Sequence, residues 1–184
     1  EIAMFEINIS CPNVSQGGIT FGTDPVMAEK VTSEVKKISK KPVMIKLTPN
    51  VTDITEIARA VESGGADAVS LINTLLGMRI DLKKRRAVLA RKVGGFSGPA
   101  VKPVALRMVW QTANAVNIPV LGMGGISSGT DAAEFLAAGA SAVSVGTAAL
   151  ADPVALVRIK EELLEFMREN DFNNISELKH AFDI

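Results

Sequence analysis

The sequence predicts an α/β fold of the (β/α)8 TIM-barrel class, and three observations carry that prediction. Five short apolar runs alternate with stretches of helical periodicity, joined by short connections. That order calls for parallel strands with helical crossovers. An internal repeat is also present: Gly65-Ala66-Asp67-Ala68-Val69-Ser70 echoes Gly139-Ala140-Ser141-Ala142-Val143-Ser144, and the run from Pro42 echoes the run from Pro119. The repeating unit is two βα pairs, which suits a barrel better than a doubly wound sheet. Finally, each apolar run ends in a polar or glycine-bearing group, and a barrel carries its function at the C-terminal ends of its strands. A barrel of this class typically needs about 250 residues, and the chain has 184. The expectation is therefore a single domain over residues 1–184 that supplies roughly strands four to eight with their helices, Glu1 falling just before the fourth. Such a sheet would leave two unpaired edges.

The elements follow in order. Glu6 to Ser10 alternates Ile7 and Ile9 with polar neighbours, as a strand does, and Pro12 stops the pairing. A loop rich in Gly, Ser and Thr follows, from Val14 to Thr23. Asp24-Pro25 starts a helix whose apolar face is spaced as Met27, Val31, Val35 and Ile38. Pro42 to Leu47 reads as a strand buried on both faces, interrupted by Lys46. Asp53 is placed to cap the next helix, with Glu56 in position for a capping box and Gly64-Gly65 as the stop. The third strand is Ala68 to Asn73. Residues 80–99 form a longer polar insertion, whose Lys83-Lys84-Arg85-Arg86 run reads as a solvated hairpin turn rather than a binding patch. A helix over Val101–Val116 carries Pro103 in its first turn, where proline is tolerated. The fourth strand, Pro119 to Gly125, leads to a helix capped by Ser128 and Asp131 that runs to about Ala138. The fifth, Ala142 to Thr147, precedes a helix begun by Asp152-Pro153 and facing inward through Val154, Val157, Leu164 and Met167. The tail beyond Asn170 has room for one short helix, with His180 exposed and without a role.

Composition excludes several classes. Lys+Arg and Asp+Glu are both 20, so no net charge favours nucleic acid or an anionic membrane. No apolar run approaches a membrane span, and none reads as a signal peptide. One Cys and one His argue against a protein-only metal site, so no metal is expected. The single Cys also fits a reducing cytoplasm.

The strand ends collect the chemistry: Asn8, Cys11 and Asn13; Lys46; Asn73 and Thr74; Gly124 and Gly125; Gly146 and Thr147. Cys11, the only cysteine, lies between two carboxamides. It is either an inert thiol beside a turn or a proton-transfer group acting on a small, planar, polar substrate. Lys46 is either a lysine snorkelling from an apolar strand or a fixed positive charge beneath an electron-rich ring, where it would stabilise an anionic reduced flavin. Gly124-Gly125 after one strand and Gly146-Thr147 after the next expose backbone N–H groups beside helix starts, which is the barrel phosphate site.

Asn8-Ile9-Ser10-Cys11-Pro12-Asn13, Lys46-Leu47-Thr48-Pro49-Asn50, Ile72 to Met78, Ser97 to Pro103 and Gly122 to Ile126 together resemble dihydroorotate dehydrogenase. The likeness covers the chain to about Asn170, and within the family it is to the cysteine-using class in its NAD-linked branch. The resemblance implies an FMN-dependent barrel enzyme that oxidises (S)-dihydroorotate to orotate in pyrimidine synthesis. By resemblance, Cys11 is the base. Asn8, Asn13, Asn73 and Thr74 hold the pyrimidine. Asn8, Lys46, Ile72, Gly98, Gly124, Gly125, Gly146 and Thr147 hold FMN, the last four at its phosphate. The implied assembly is a cytoplasmic homodimer of catalytic subunits with a partner subunit carrying FAD and a [2Fe-2S] cluster, which passes electrons to NAD. A chain with one cysteine cannot supply its own cluster. The alternatives are an inactive or oligomerisation-dependent fragment of such an enzyme, and a related pyrimidine reductase of the dihydropyrimidine dehydrogenase kind.

Overall fold

The computed structural model describes residues 2–10 and 18–183. In chain order its elements are β1 (Phe5–Asn8), α1 (Gly18–Thr23), α2 (Pro25–Ile38), β2 (Val43–Lys46), α3 (Ile54–Ser63), β3 (Ala68–Leu71), β4 (Leu75–Met78), β5 (Ile80–Asp81), β6 (Arg86–Ala87), β7 (Val93–Phe96), α4 (Lys102–Ala113), β8 (Val120–Met123), α5 (Gly129–Ala137), β9 (Ala142–Ser144), α6 (Thr147–Ala151), α7 (Ala155–Glu169) and α8 (Ile175–His180). The main sheet has the order β1-β2-β3-β8-β9, and every pair in it is parallel. The five strands expected from the apolar runs are therefore the five strands of the sheet, and their C-terminal ends share one rim.

Register divides the sheet into two unlike faces. Val43, Ile45, Val69, Leu71 and Val120 point to one side and are buried against Ala28 of α2, Ile57 and Val61 of α3, Ala105 and Val109 of α4, and Phe135 of α5. The alternate positions Met44, Lys46, Leu121, Met123 and Ser144 point to the other side, where each is half-buried. Helices cover the first face, and the second carries the polar groups. The repeat in the sequence is a repeat in structure. After α3, Ala66 N–H donates to the Val61 carbonyl (3.0 Å) and Asp67 N–H to that of Val43 (2.9 Å). After α5, Ala140 N–H donates to the Phe135 carbonyl (3.0 Å) and Ser141 N–H to that of Val120 (2.8 Å). Gly65 (φ +89°) and Gly139 (φ +105°) turn the chain at the two equivalent points.

Several local expectations need correction. The buried line of α2 is Ala28 and Thr32, flanked by Val31 and Val35, and Ile38 is 83% exposed. On α7 the buried line is Ala155, Ile159 and Met167, whereas Val154 (63%), Val157 (59%) and Leu164 (41%) are exposed. Both helices lie at an end of the sheet, where part of the apolar face finds no neighbour. Periodicity reports a face without reporting what meets it. Asp53 caps α3 by accepting from Thr55 N–H (2.8 Å), one residue short of the capping box expected with Glu56. The box of Ser128 and Asp131 on α5 is present. The insertion is an antiparallel ribbon of β4 with β7, extended by β5 with β6, and its basic run forms an exposed turn. The last strand stops at Ser144, and the short helix α6 occupies what reads in the sequence as strand end and loop. No helix among the described residues is long and apolar enough to cross a membrane.

Candidate active site

The strand rim opens into a cavity of about 770 Å3. Its two ends are built differently. At the first end, the polar side chains of β1 and β3 meet. Asn73 Nδ2 donates to Asn8 Oδ1 (3.1 Å) and to Ser10 Oγ (2.7 Å). The Ser10 hydroxyl donates in turn to Asn8 Oδ1 (2.9 Å), as does the Ser10 N–H (3.2 Å). The Lys46 carbonyl lies 3.4 Å from the same hydroxyl. Asn73 Oδ1 accepts from Thr74 N–H (2.8 Å). These contacts follow from parallel register: Asn8 is paired with Lys46, and β3 is the next strand. Lys46 Nζ faces Glu6 Oε2 at 3.6 Å, and Glu6 Oε1 accepts from the buried Ser70 hydroxyl (2.6 Å). The lysine is thus held over the open face of the sheet with its carboxylate partner on the neighbouring strand.

The chain beyond Asn73 is tied down by Asn50. Its Nδ2 donates to the Thr74 carbonyl (3.0 Å), and its Oδ1 accepts from Leu76 N–H (3.0 Å). The loop after β2 thereby fixes the start of the β4–β7 ribbon. At the far end of that ribbon, the Thr147 hydroxyl donates to Ser97 Oγ (2.9 Å), closing the cavity wall across from β9.

The second end is made of backbone. Gly124 (φ +127°) and Gly125 (φ +84°) turn out of β8. A Cβ on Gly125 would lie 2.8 Å from Lys102 N and 2.9 Å from the Gly98 carbonyl, so the fold itself requires glycine there. Gly146 is different. Its φ is −110°, and a Cβ there would meet no protein atom within 4 Å. A side chain at 146 would project into the cavity.

Charge holds this backbone in place. Asp131 Oδ2 accepts from Ser127 N–H (2.8 Å), the Ser127 hydroxyl (2.9 Å) and Ser128 N–H (3.0 Å), while Oδ1 takes the Lys102 ammonium at 2.6 Å. Burial pushes the Asp131 carboxyl up, but the Lys102 ammonium and the Ser127 donors outweigh it and hold it down at about 2. The Asp131 carboxylate raises the Lys102 ammonium against the opposing effect of burial, with Glu134 adding to it. From α7, Glu162 accepts the Gly129 N–H (2.7 Å), and Arg158 reaches the Ser127 carbonyl (3.3 Å) and Glu162 (2.9 Å). The Gly129 N–H first, and then Arg158, hold the Glu162 carboxyl below its ordinary value.

Of the residues singled out in the sequence, Lys46, Ile72, Asn73, Thr74, Gly98, Gly124, Gly125, Gly146 and Thr147 line this one cavity. Asn8 joins it through Asn73. Cys11 and Asn13 lie outside the described residues. Residues to which the sequence assigned no site role include Ser10, Asn50, Ser127, Asp152 and Arg158. Ser127, Asp152 and Arg158 line the cavity, and the other two organise its polar end. A second groove of about 740 Å3 lies on the outer helices, between Leu106 and Trp110 of α4, Ala133 of α5 and Phe166 of α7. It has no strand end in its lining and is not the candidate site. The Leu71–Ile72 peptide at the cavity wall is cis. Among the described residues, no cluster of His, Cys, Asp and Glu could hold a metal ion.

The arrangement offers neutral donors and acceptors to a small polar molecule at one end, a lysine ammonium between, and backbone amides suited to an anion at the other. The family model described as dihydroorotate dehydrogenase matches residues 2–167. The chain is 56% identical over 179 residues to the dihydroorotate dehydrogenase B (NAD(+)) catalytic subunit of Alkaliphilus metalliredigens, covering 97% of this chain and 59% of that one. It is 58% identical over 184 residues to the protein of the same name from Geobacter metallireducens, covering 100% and 60%. It thus spans about 60% of the length of these curated relatives. A crystal structure of DHODH from Eimeria tenella in complex with ferulenol superposes with a TM-score of 0.79 at 24% identity, over 96% of this chain and 53% of that one. That likeness establishes the fold.

Proposed function

This chain belongs to the dihydroorotate dehydrogenase family, and from that premise we propose that its cavity is the flavin and substrate site of an enzyme that oxidises (S)-dihydroorotate to orotate in pyrimidine (UMP) synthesis. The observation that carries the reading is convergence. Residues assigned to flavin and to pyrimidine from separate sequence motifs line one cavity at one rim of the sheet.

The residues fit FMN. The cavity, at about 770 Å3, is within the usual range for ligand sites. Gly146 leaves open the space that a side chain would fill. The amides of Gly124, Gly125, Gly146 and Thr147 are those assigned to the phosphate. Ile72, Gly98 and Lys46 are assigned to the ring system, where the ammonium would offset negative charge. When bound, FMN supplies the hydride acceptor for C6 of dihydroorotate. Cys11 is assigned as the base that takes the proton from C5, so that two electrons and two protons leave the substrate as its C5–C6 bond becomes double. Asn8, Asn13, Asn73 and Thr74 are assigned to the pyrimidine ring.

The same reading makes the five parallel strands the fourth to eighth of a closed (β/α)8 barrel in a single domain. Support comes from the sheet itself: among the described residues β1 and β9 each pair on one side only, and Phe5, Val154 and Val157 are exposed near them. An uncovered apolar edge is costly and prone to pairing. Relatives named as catalytic subunits support a partner. We assign that role to an FAD/[2Fe-2S] subunit that relays electrons to NAD, with the catalytic subunit as a homodimer in the cytoplasm.

The test is anaerobic reduction of the flavin-loaded protein. Dihydroorotate should bleach the flavin absorbance, and dihydrouracil should leave it unchanged. Protein without flavin, or bleaching by dihydrouracil alone, would contradict the reading and favour, respectively, the inactive fragment or the related reductase.

A further inference from the structure

Three residues marked out in the sequence for separate reasons, Asn8 on β1, Lys46 on β2 and Asn73 just beyond β3, meet at one atom that was not marked out. That atom is Ser10 Oγ. It lies 2.9 Å from Asn8 Oδ1, 2.7 Å from Asn73 Nδ2 and 3.4 Å from the Lys46 carbonyl. Ser10 is 4% exposed, so water has little access to replace the hydroxyl. Its position is fixed from behind by α1, where a Cβ on Gly22 would lie 2.9 Å from the Ile9 carbonyl and 3.1 Å from Ser10 Cβ.

A carboxamide can be turned through half a circle with little change in shape, which exchanges its donor end for its acceptor end. The surrounding bonds decide which end a ligand meets. Asn8 Oδ1 already accepts from the Ser10 N–H, the Ser10 hydroxyl and Asn73 Nδ2, so among the described residues the free part of Asn8 is its NH2. Asn73 Nδ2 directs its two hydrogens to Asn8 and Ser10, and its Oδ1 accepts one bond from Thr74. Among the described residues the free capacity of Asn73 is therefore a lone pair on Oδ1. Turning either amide would set donor against donor or acceptor against acceptor at Ser10.

We propose that Ser10 is a positioning residue: its buried hydroxyl fixes the rotation of the Asn8 and Asn73 carboxamides, so that the site presents an NH2 donor beside a carbonyl acceptor to a planar ligand with a neighbouring C=O and N–H. The inference rests on the proposed substrate site and adds to it the group that sets that site's polarity. The Ser10 hydroxyl is engaged with Asn8, Asn73 and the Lys46 carbonyl. It acts through the two asparagines, and it selects for a ring carrying both an acceptor and a donor on one edge.

The experiment uses the flavin-loaded protein and reads orotate binding from the change it causes in the flavin spectrum. Ser10→Ala should keep its flavin and bind orotate about tenfold more weakly, the loss expected when a neutral hydrogen-bond arrangement is no longer held. A packing role would also weaken binding, so the same change is measured in an Asn73→Ala background. There the loss should shrink to about threefold or less, because one of the two amides it orients is gone. Unchanged affinity in Ser10→Ala overturns the proposal, and so does an equal loss in both backgrounds. If Ser10→Ala fails to fold, Ser10→Cys fills the position with a slightly larger side chain of the same shape and a much weaker hydrogen-bonding group. The same pair of losses is then expected, and the same two results overturn it. An unaltered protein whose flavin spectrum ignores orotate overturns the substrate reading, and this proposal with it.

Discussion

The two ends of the cavity hold their shape by opposite means. At the Asn8–Ser10–Asn73 end, side chains from separate strands fix one another, and what a ligand meets is the unpaired remainder of their hydrogen-bonding capacity. At the Gly124–Gly125–Gly146 end the backbone amides are what the glycines expose, with Ser127, Asp152 and Arg158 beside them. The backbone is shaped by contacts behind it, chiefly the Asp131 carboxylate gathering Ser127, Ser128 and Lys102. The first end should be sensitive to the exchange of a single atom, because donor and acceptor can be swapped without changing volume. The second should be sensitive to added volume and to loss of the charge that braces it. On the proposed reading, one cavity would recognise a neutral planar edge and an anion by unrelated physics.

The largest expected effect concerns the residue proposed as the base. Cys11→Ala in the flavin-loaded protein should slow flavin reduction by dihydroorotate by about 10² to 10⁴, the usual contribution of a positioned base, while flavin content stays the same. Stopped-flow absorbance would measure it. A rate equal to that of the unaltered protein would remove the cysteine from the mechanism and leave the first end as a binding site only.

At the second end, two glycines separate ligand effects from fold effects. Gly146→Val should yield folded, colourless protein, because a Cβ there meets no protein atom within 4 Å and the added side chain would take up space in the cavity that Gly146 lines. Gly125→Val should lose stability instead, by about 1–3 kcal/mol from backbone strain alone, since φ is +84° and its Cβ would press on the Lys102 and Gly98 backbone. Flavin absorbance and thermal melting of the two variants distinguish these outcomes. If both keep full flavin and full stability, the backbone end does not bind the phosphate.

A smaller effect follows from the brace. The Asp131 carboxyl sits at about 2, below its ordinary 3.8. A folded value below the unfolded one gives stability that is fully present above about pH 4 and is lost as pH falls through about 2. With the side chain 13% exposed, the difference amounts to about 2 kcal/mol. Acid should therefore loosen the glycine end, with flavin released in that window, while the neutral amides and hydroxyl of the other end keep their bonds. Asp131→Asn should show the weaker flavin retention already at neutral pH and lose this part of the acid dependence. An unchanged acid profile would mean that the carboxylate does not support the loop.

The two ends also differed in how plainly they could be read beforehand. Gly124-Gly125 and Gly146-Thr147 were visible because glycines at consecutive strand ends are a local pattern, and Lys46 because an ammonium interrupts an apolar strand. The roles of Ser10, Asn50 and Arg158 were not visible, although the first two lie within the motifs that carry the resemblance. Each is an ordinary polar residue whose importance arises from partners far along the chain, as Ser10 and Asn73 are 63 residues apart. The five strands and their order were legible from apolar runs and the repeat. The inward faces of α2 and α7 were misjudged, since exposure of Ile38, Val154 and Val157 depends on what adjoins the sheet edges rather than on spacing. The β4–β7 ribbon was missed because its glycines mask the period-2 pattern.

The claim that these two ends form one site is tested most directly by a crystal structure of the protein with flavin and orotate bound. The account predicts the pyrimidine ring against Asn8 Nδ2 and Asn73 Oδ1, the flavin beside Lys46, and its phosphate on the amides of Gly124–Gly125 and Gly146–Thr147. Orotate found away from the two asparagines, or flavin lodged in the outer groove beside Trp110, would contradict it.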